Sequence, residues 1–248
     1  MTTKTRTQSL GAATMACAIL AACSSGAGGP GGGPGPTGPD RTGVGSASLR
    51  IEASVSADPS TGEEAASASG LDTHFEIDVR DASGADVSGA TVIVDSALGA
   101  VTLAESSGCG RRYCGRQLGY APTYELSVTR GADYVDDVRF TGPGFHRVTA
   151  PAAGSTVDAT MPLTVSWSAS GDASSTTFET RETSVDLAGD AGTYSIPPGT
   201  LRTRDDRPED ERIRVRRRDR LVLTGALPGS DLGISVRNGL ELFTQVTP

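Results

Sequence analysis

Residues 124–130 read YELSVTR, a stretch in which a large apolar side chain occupies every second position. In an extended chain this spacing places the apolar side chains on one face and the polar ones on the other. Residues 49–55 (LRIEASV) and 75–80 (FEIDVR) repeat the pattern, and residues 90–94 (ATVIV) are rich in β-branched side chains. No stretch combines a helical apolar period with capping signals. The sequence therefore predicts an all-β fold of half-buried strands.

The C-terminal half carries the same signal in shorter pieces. Residues 163–167 (LTVSW) alternate, and we expect Trp167 to be a core residue rather than a platform for sugar binding. Apolar residues alternate again over 232–242, interrupted by Asn238-Gly239. Because Asn-Gly accommodates the positive φ angles of a two-residue turn, the sequence predicts a β-hairpin at this point.

Two longer stretches resemble known modules. Phe75–Val94 (FEIDVRDASGADVSGATVIV) resembles the carboxypeptidase-regulatory-like and bacterial Ig-like β-sandwich repeats, and residues 151–167 (PAAGSTVDATMPLTVSW) resemble the opening strands of an Ig-like or fibronectin-type-III-like sandwich. The resemblance implies two tandem Ig-like or regulatory-like β-sandwiches, residues 47–149 and 150–248. It also implies that these modules act as spacers or accessory binding domains and are not enzymes.

The N-terminus has the pattern of an export signal. Lys4 and Arg6 precede an uncharged apolar run from Leu10 to Ala22, which is too short to span a bilayer and has the length of a signal-peptide core. Residues 20–23 (LAAC) resemble the lipobox of bacterial lipoproteins. That resemblance implies cleavage of residues 1–22 and attachment of diacylglycerol and a further acyl chain such as palmitate to the new N-terminal Cys23.

The alternative is an ordinary signal peptide with a cysteine near its end by chance. Several acyl chains give a stable membrane anchor, whereas one gives marginal binding.

In lipoproteins of double-membraned bacteria the residue after the cysteine helps sort the protein between the inner and outer membranes. Ser24 is not the Asp that resembles a retention signal, so we expect the outer membrane rather than the inner one. Residues 23–46 are rich in glycine and proline, which predicts a flexible linker after the lipidated cysteine.

Cys109 and Cys114 are the pair that remains once Cys17 leaves with the signal and Cys23 is lipidated. In an oxidising compartment they are expected to form a disulfide that closes an irregular connection over residues 105–118. A redox pair is the other interpretation, as is an anion-binding loop, since Arg111, Arg112 and Arg116 lie close in sequence. Their spacing is not that of the thiol oxidoreductases.

Residues 201–220 contain nine arginines among six acidic residues. The alternation over residues 212–216 (RIRVR) favours arginines on the solvent face of an edge strand, where charge prevents pairing with other chains. A polyanion site is the alternative. The acidic side chains of residues 205–211 lack the Ca²⁺-loop pattern.

Composition narrows the function without assigning it. The formal net charge of −8 and the export signal argue against a nucleic-acid partner. His74 and His146 have no partner at ligand spacing, so we expect no metal and no cofactor. The sequence predicts a non-catalytic, lipid-anchored envelope protein with a structural, adhesion or display role. The alternatives are an accessory protein that binds a glycan or peptide and, less favoured, an unrecognised exported enzyme.

Overall fold

The computed structural model describes residues 38–106, 108–109, 113–204 and 207–246. Apart from one short 3₁₀ turn at Ala68–Gly70, the regular elements of these residues are β-strands. No helix among them is long and apolar enough to cross a membrane. The predicted all-β fold is confirmed.

In chain order the strands are β1 Arg41–Gly45, β2 Leu49–Pro59, β3 Leu71–Asp81, β4 Thr91–Ser96, β5 Val101–Thr102, β6 Ala104–Glu105, β7 Tyr113–Leu118, β8 Thr123–Arg130, β9 Asp133–Thr141, β10 His146–Ala150, β11 Thr156–Asp158, β12 Leu163–Ala169, β13 Ser175–Glu179, β14 Ser184–Ala188, β15 Thr193–Ile196, β16 Glu209–Val222 and β17 Asp231–Gln245.

The strands form three sheets. The largest has the order β14-β13-β16-β17-β2-β3-β7-β6, with β11 pairing to the end of β17. A five-stranded sheet, β1-β9-β8-β4-β5, and a three-stranded sheet, β10-β12-β15, complete the body. The large sheet therefore supplies one layer to each of two sandwiches.

The first sandwich has an extensive apolar core. Inward side chains of β2, β3 and β7 pack against those of β4, β8 and β9, and Phe75 contacts Tyr124 edge to face with ring centroids 5.7 Å apart. Tyr124, Leu126 and Val128 are fully buried, as the alternation in residues 124–130 predicts. Burial of these side chains is the main stabilising contribution in this half.

The second sandwich packs β12 and β15 against β13, β16 and β17. Val165 and Trp167 contribute from the small sheet, and Phe178, Ile213 and Leu240 are among the contributors from the large one. Trp167 is 5% exposed, which confirms it as a core residue.

Strand β17 joins the two sandwiches. It pairs with β16 in antiparallel fashion along its length, and residues 231–236 also pair in parallel with β2. Leu232, Ile234 and Val236 belong to the first core, whereas Leu240 and Leu242 belong to the second. The last strand thus completes a sandwich whose other strands lie far earlier in the chain.

The predicted hairpin at Asn238-Gly239 is wrong, because β17 runs straight through both residues. The Asn238 side chain is buried, accepts a hydrogen bond from Ala65 N and donates to the carbonyls of Ala65 and His146. Gly239 lies opposite Arg214, where an added Cβ would come within 2.2 Å of the Ile213 carbonyl oxygen. Asn238 hydrogen bonds to buried backbone groups, and Gly239 lets the backbones of β17 and β16 approach closely. Neither residue forms part of a turn.

The predicted edge position of residues 212–216 is also wrong. Strand β16 lies between β13 and β17, so both of its backbone edges are paired. The predicted alternation itself is confirmed, because Ile213 and Val215 are fully buried.

Part of the predicted linker is a strand rather than flexible chain. Arg41–Gly45 forms β1 and pairs with β9. An added Cβ at Gly45 would lie 2.2 Å from the Gly225 carbonyl oxygen. The glycine that suggested flexibility is needed here for close backbone approach. The remainder of the linker, residues 24–37, lies outside the described residues.

Candidate functional site

The outer face of the large sheet carries a row of arginines. Because Ile213 and Val215 point into the core, the even-numbered residues of β16 point outward. They include Arg214, Arg216 and Arg218, and the row continues to Arg220. A strand in the middle of a sheet holds this row on a rigid support.

Several arginines of this face already have acidic partners. Arg214 donates to both carboxylate oxygens of Glu63, at 2.5 and 2.6 Å. Arg220 pairs with Asp231, and Arg237 lies 2.5 Å from an oxygen of Asp58. These charges are locally balanced.

Arg216 and Arg218 differ from their neighbours. Within the part of the chain that the structure describes, neither forms an ion pair. Arg216 lies directly opposite Arg237 in the β16–β17 register, and like charges in this position repel. The Nε of Arg216 is also buried without a hydrogen-bond partner, which leaves a charged donor unsatisfied. An anion above the guanidinium groups of Arg216 and Arg218 would offset the repulsion between Arg216 and Arg237.

The surface beside these arginines is concave and lined by small polar residues. Its volume is about 450 Å³, and we call it the arginine groove. It is lined by Arg216, Arg218, Arg220, Ser54, Ser56, Ser174, Ser175, Asp219, Gly233, Ile234 and Ser235. The short side chains of β2 and β17 at this point, Ser54, Ser56, Gly233 and Ser235, leave room above the sheet. Hydroxyl and guanidinium groups give it hydrogen-bond donors and positive charge.

Ion pairs shift the pKa of two groups next to the groove. Burial opposes ionisation of Glu63, but the hydrogen bond and charge of Arg214, with the charges of Arg237 and Arg212, outweigh it. The pKa of Glu63 is therefore lowered. Asp231, through its hydrogen bond and charge, raises the pKa of Arg220. Glu63 is therefore held in its ionised form by the arginines around it.

One charge of the arginine-rich strand points the other way. Arg217 is 0% exposed and lies on the inner face, where its Nε donates to Asp190 at 2.8 Å. Its other nitrogens donate to the carbonyls of Gly144 and Gly171, each at 2.6 Å. Asp190 also accepts a 2.7 Å hydrogen bond from Trp167 Nε1. This buried network is structural, because none of Arg217, Asp190 and Trp167 lines the arginine groove.

His146 lies beside that network. Its Nε2 is 2.9 Å from the Val215 carbonyl oxygen, to which it donates, while its Nδ1 is buried without a partner. Burial, reinforced by the charge of Arg217, lowers the pKa of His146 to about 4. The imidazole is therefore neutral near pH 7 and belongs to the core.

The two cysteines predicted to form a disulfide are brought together in the described residues. Cys109 and Cys114 lie at bonding distance, with Cα atoms 6.5 Å apart. The connection is less irregular than predicted, since Tyr113–Leu118 forms β7 and pairs with β3. Ladder hydrogen bonds therefore fix Cys114.

Of the three arginines considered for an anion-binding loop, only Arg116 lies in the described residues. Arg116 donates to both oxygens of Asp72, one of them at 2.6 Å, so its charge is neutralised. Arg111, Arg112 and the predicted lipidation site Cys23 lie outside the described residues.

Neither histidine forms a metal or catalytic cluster in the described residues. His74 faces Ser56 across β2 and β3, but neither side chain hydrogen bonds to the other. Asp72 lies 3.9 Å from His74 and is held instead by Arg116. This row of Ser, His and Asp thus lacks the contacts of a nucleophile activated by a base.

Sequence reasoning missed the arginine groove because its members come from β2, β13, β16 and β17. The signal available was the run of serines at outward positions: Ser54 and Ser56 alternate with core residues, as Ser235 does in β17. Only the sheet order shows that these short side chains stand beside Arg216 and Arg218.

No known protein family and no curated protein matches the chain. Among solved structures it is similar to the fibronectin(III)-like modules of CbhA from Clostridium thermocellum, with 15% sequence identity and a TM-score of 0.30. The match covers 77% of this chain and 94% of the other. A TM-score this low carries no argument, so fold and function rest on the chain's own residues.

Proposed function

We propose that this protein is a lipid-anchored component of the bacterial cell envelope whose two-core body serves as a non-catalytic binding or display module. Residues 1–23 begin with basic residues, continue with an apolar run and end with two alanines before Cys23, and this order supports a lipid anchor on Cys23. The glycine- and proline-rich residues that follow would hold the body away from the membrane.

The observation that carries the binding role is the arginine groove. An open face with two arginines that have no acidic partner among the described residues is suited to holding a partner by charge and hydrogen bonds. The contacts between His74, Ser56 and Asp72 do not support a hydrolytic role. The partners are therefore the membrane, through the lipid, and an envelope protein or glycan, through the groove.

The anchor is tested by mass spectrometry of the mature N-terminus in the native host. We expect a start at Cys23 that carries a thioether-linked diacylglycerol and an acylated amine. The Cys23→Ser variant should lose the lipid mass and leave the membrane fraction, whereas Cys17→Ser, the matched control inside the signal, should retain both. A mature chain with an unmodified thiol, or one that starts downstream of Cys23, would contradict the anchor.

The location is tested by separating the membranes of a double-membraned host on a density gradient. We propose the outer membrane, because Ser24 is not an Asp. The Ser24→Asp variant should then move the protein to the inner membrane, with Ser25→Asp as the control. Wild-type protein found in the inner membrane would overturn the location and leave the lipid anchor standing.

A further inference from the structure

We propose that the arginine groove binds an acidic glycan, a sugar polymer that bears carboxylate or sulfate groups. The inference deepens the proposed binding role and rests on it, but it does not depend on the lipid anchor. It names the class of ligand that fits the charge and hydroxyl groups of the residues lining the groove.

Charge is the first step of the argument. Arg216 and Arg218 are two residues apart on one strand, which places their Cα atoms about 6.6 Å apart on the same face. Each can hold a separate anionic group, and a guanidinium binds a carboxylate or sulfate oxygen pair through two parallel hydrogen bonds. Repeated anionic groups along a polymer match this repeated spacing better than a single small anion.

The protein around the groove is acidic, with a formal net charge of −8. A general attraction to polyanions is therefore weak, and capture has to occur at the groove itself. Arg220 and Arg214 contribute less, because Asp231 and Glu63 already neutralise them. Binding should depend mainly on Arg216 and Arg218.

The remaining lining contains one carboxylate, that of Asp219, which accepts a 2.7 Å hydrogen bond from Ser174 N, and is otherwise rich in hydroxyl groups. Ser54, Ser56, Ser175 and Ser235 present hydroxyl groups that donate and accept hydrogen bonds, as sugar hydroxyls do. None of the lining residues is aromatic, so stacked nucleobases have no platform here.

An extended peptide is the less suitable occupant. Peptides that bind sheets add a strand to an exposed edge, where backbone groups are free. The groove lies over β16, β17 and β2, whose backbones pair on both sides within the large sheet. A ligand above them must be held by side chains alone, which suits a glycan.

The test is isothermal titration calorimetry on the full chain, purified in mild detergent, with four polymers. Polygalacturonate carries carboxylates, dextran sulfate carries sulfates, dextran is neutral, and polyglutamate is an acidic peptide. We expect polygalacturonate, dextran sulfate or both to bind, with dextran and polyglutamate at least tenfold weaker. Whichever acidic glycan binds more tightly identifies the anionic group.

The variants assign that binding to the groove. Removing a charge-assisted contact should weaken binding by about tenfold for each of R216Q and R218Q. The control, R130Q combined with R207Q, replaces two exposed arginines outside the groove, one charge more than either single variant removes, and should bind as the wild type does. R218Q alone changes an exposed side chain, so it tests the inference even if the partly buried Arg216 proves necessary for folding.

Three results would overturn the inference. The first is no binding of either acidic glycan. The second is equal loss in the R130Q/R207Q control, which would show nonspecific attraction. The third is polyglutamate binding as tightly as the glycans with the same dependence on Arg216 and Arg218, which would assign the groove to acidic peptides. None of these results bears on lipidation of Cys23, so the anchor and the ligand fail separately.

Discussion

The two sandwiches share one sheet but are filled differently. The first core is a large apolar cluster that includes Phe75, Tyr124 and Phe140. The second has far fewer buried apolar residues, and the Arg217–Asp190–Trp167 network occupies part of its interior. Where a small facing sheet supplies too few apolar side chains, a buried cation with matched acceptors completes the packing. That solution is stable only while every partner is present.

The largest expected effect comes from removing the acceptor of the buried cation. Asp190→Ala leaves Arg217 buried without its counter-charge and should lower the free energy of unfolding by about 3–5 kcal/mol. Urea unfolding followed by Trp167 fluorescence measures the loss. The double variant Arg217→Met with Asp190→Leu should be closer to wild type than Asp190→Ala, because it removes both charges. A loss below about 1 kcal/mol for Asp190→Ala would show that the network is not structurally important.

The second core should also weaken in acid, whereas the apolar first core has no comparable buried histidine. His146 has a folded pKa of about 4, below its ordinary value near 6.5, so the unfolded chain binds a proton first as pH falls. Its contribution to stability is present above pH 6.5 and lost as pH falls towards about 4. The total is about 3 kcal/mol.

The measurement is the free energy of unfolding at pH 7 and pH 4 for wild type and His146→Gln. We expect the wild type to lose more stability than the variant over this range, because both chains share the titration of all other groups. His74→Gln is the matched control, since His74 is partly exposed. The same pH dependence in wild type and His146→Gln would refute a buried, neutral imidazole.

A smaller effect is expected where β17 passes from the first core to the second. Gly239→Ala places a Cβ against the Ile213 carbonyl and should cost about 1–3 kcal/mol through overpacking. If the predicted turn existed, alanine would instead be resisted by backbone strain. Gly233→Ala on the same strand, where an added Cβ meets only Ala53 O at 4.0 Å, is the control and should be tolerated. Thermal unfolding of both variants measures the difference, and a Gly239→Ala variant as stable as Gly233→Ala would contradict the close approach to the Ile213 carbonyl.

An effect of similar size is expected at the edge of the first sandwich. Loss of the Cys109–Cys114 bond releases a short loop and should cost about 2 kcal/mol in the chain-entropy model. Thermal unfolding of the Cys109→Ser, Cys114→Ser double variant, against wild type with and without reductant, measures it. The apolar core of this half should keep the variant folded, and an unfolded variant would show that the core is weaker than its burial indicates.

The comparison also shows what sequence could predict. Period-two alternation identified the strands around Tyr124 and the core position of Trp167, because burial of one face is a local property of the pattern. The same alternation places Arg217 inward with Ile213 and Val215, yet its charge concealed that position. Its acceptor Asp190 lies on a distant connection, and nothing local to either residue indicates the contact.

The Asn238-Gly239 error has a similar cause. The pair has the composition of a turn, and only the loop carrying Ala65 supplies the backbone groups that hold Asn238 inside a continuous strand. The arginine groove likewise depends on sheet order, which brings serines of β2 beside arginines of β16. Long-range pairing decides both, and a single sequence does not encode it locally.

The parallel pairing of β17 with β2 imposes an order of events on synthesis. A ribosome releases β2, β3 and β7 first, and at that time β2 still has an open edge on one side. Leu232, Ile234 and Val236, which close that layer, emerge only with the final strand. A chain truncated after residue 149 would present this edge to other nascent chains and would tend to aggregate. The first sandwich is therefore completed only once the final strand is in place.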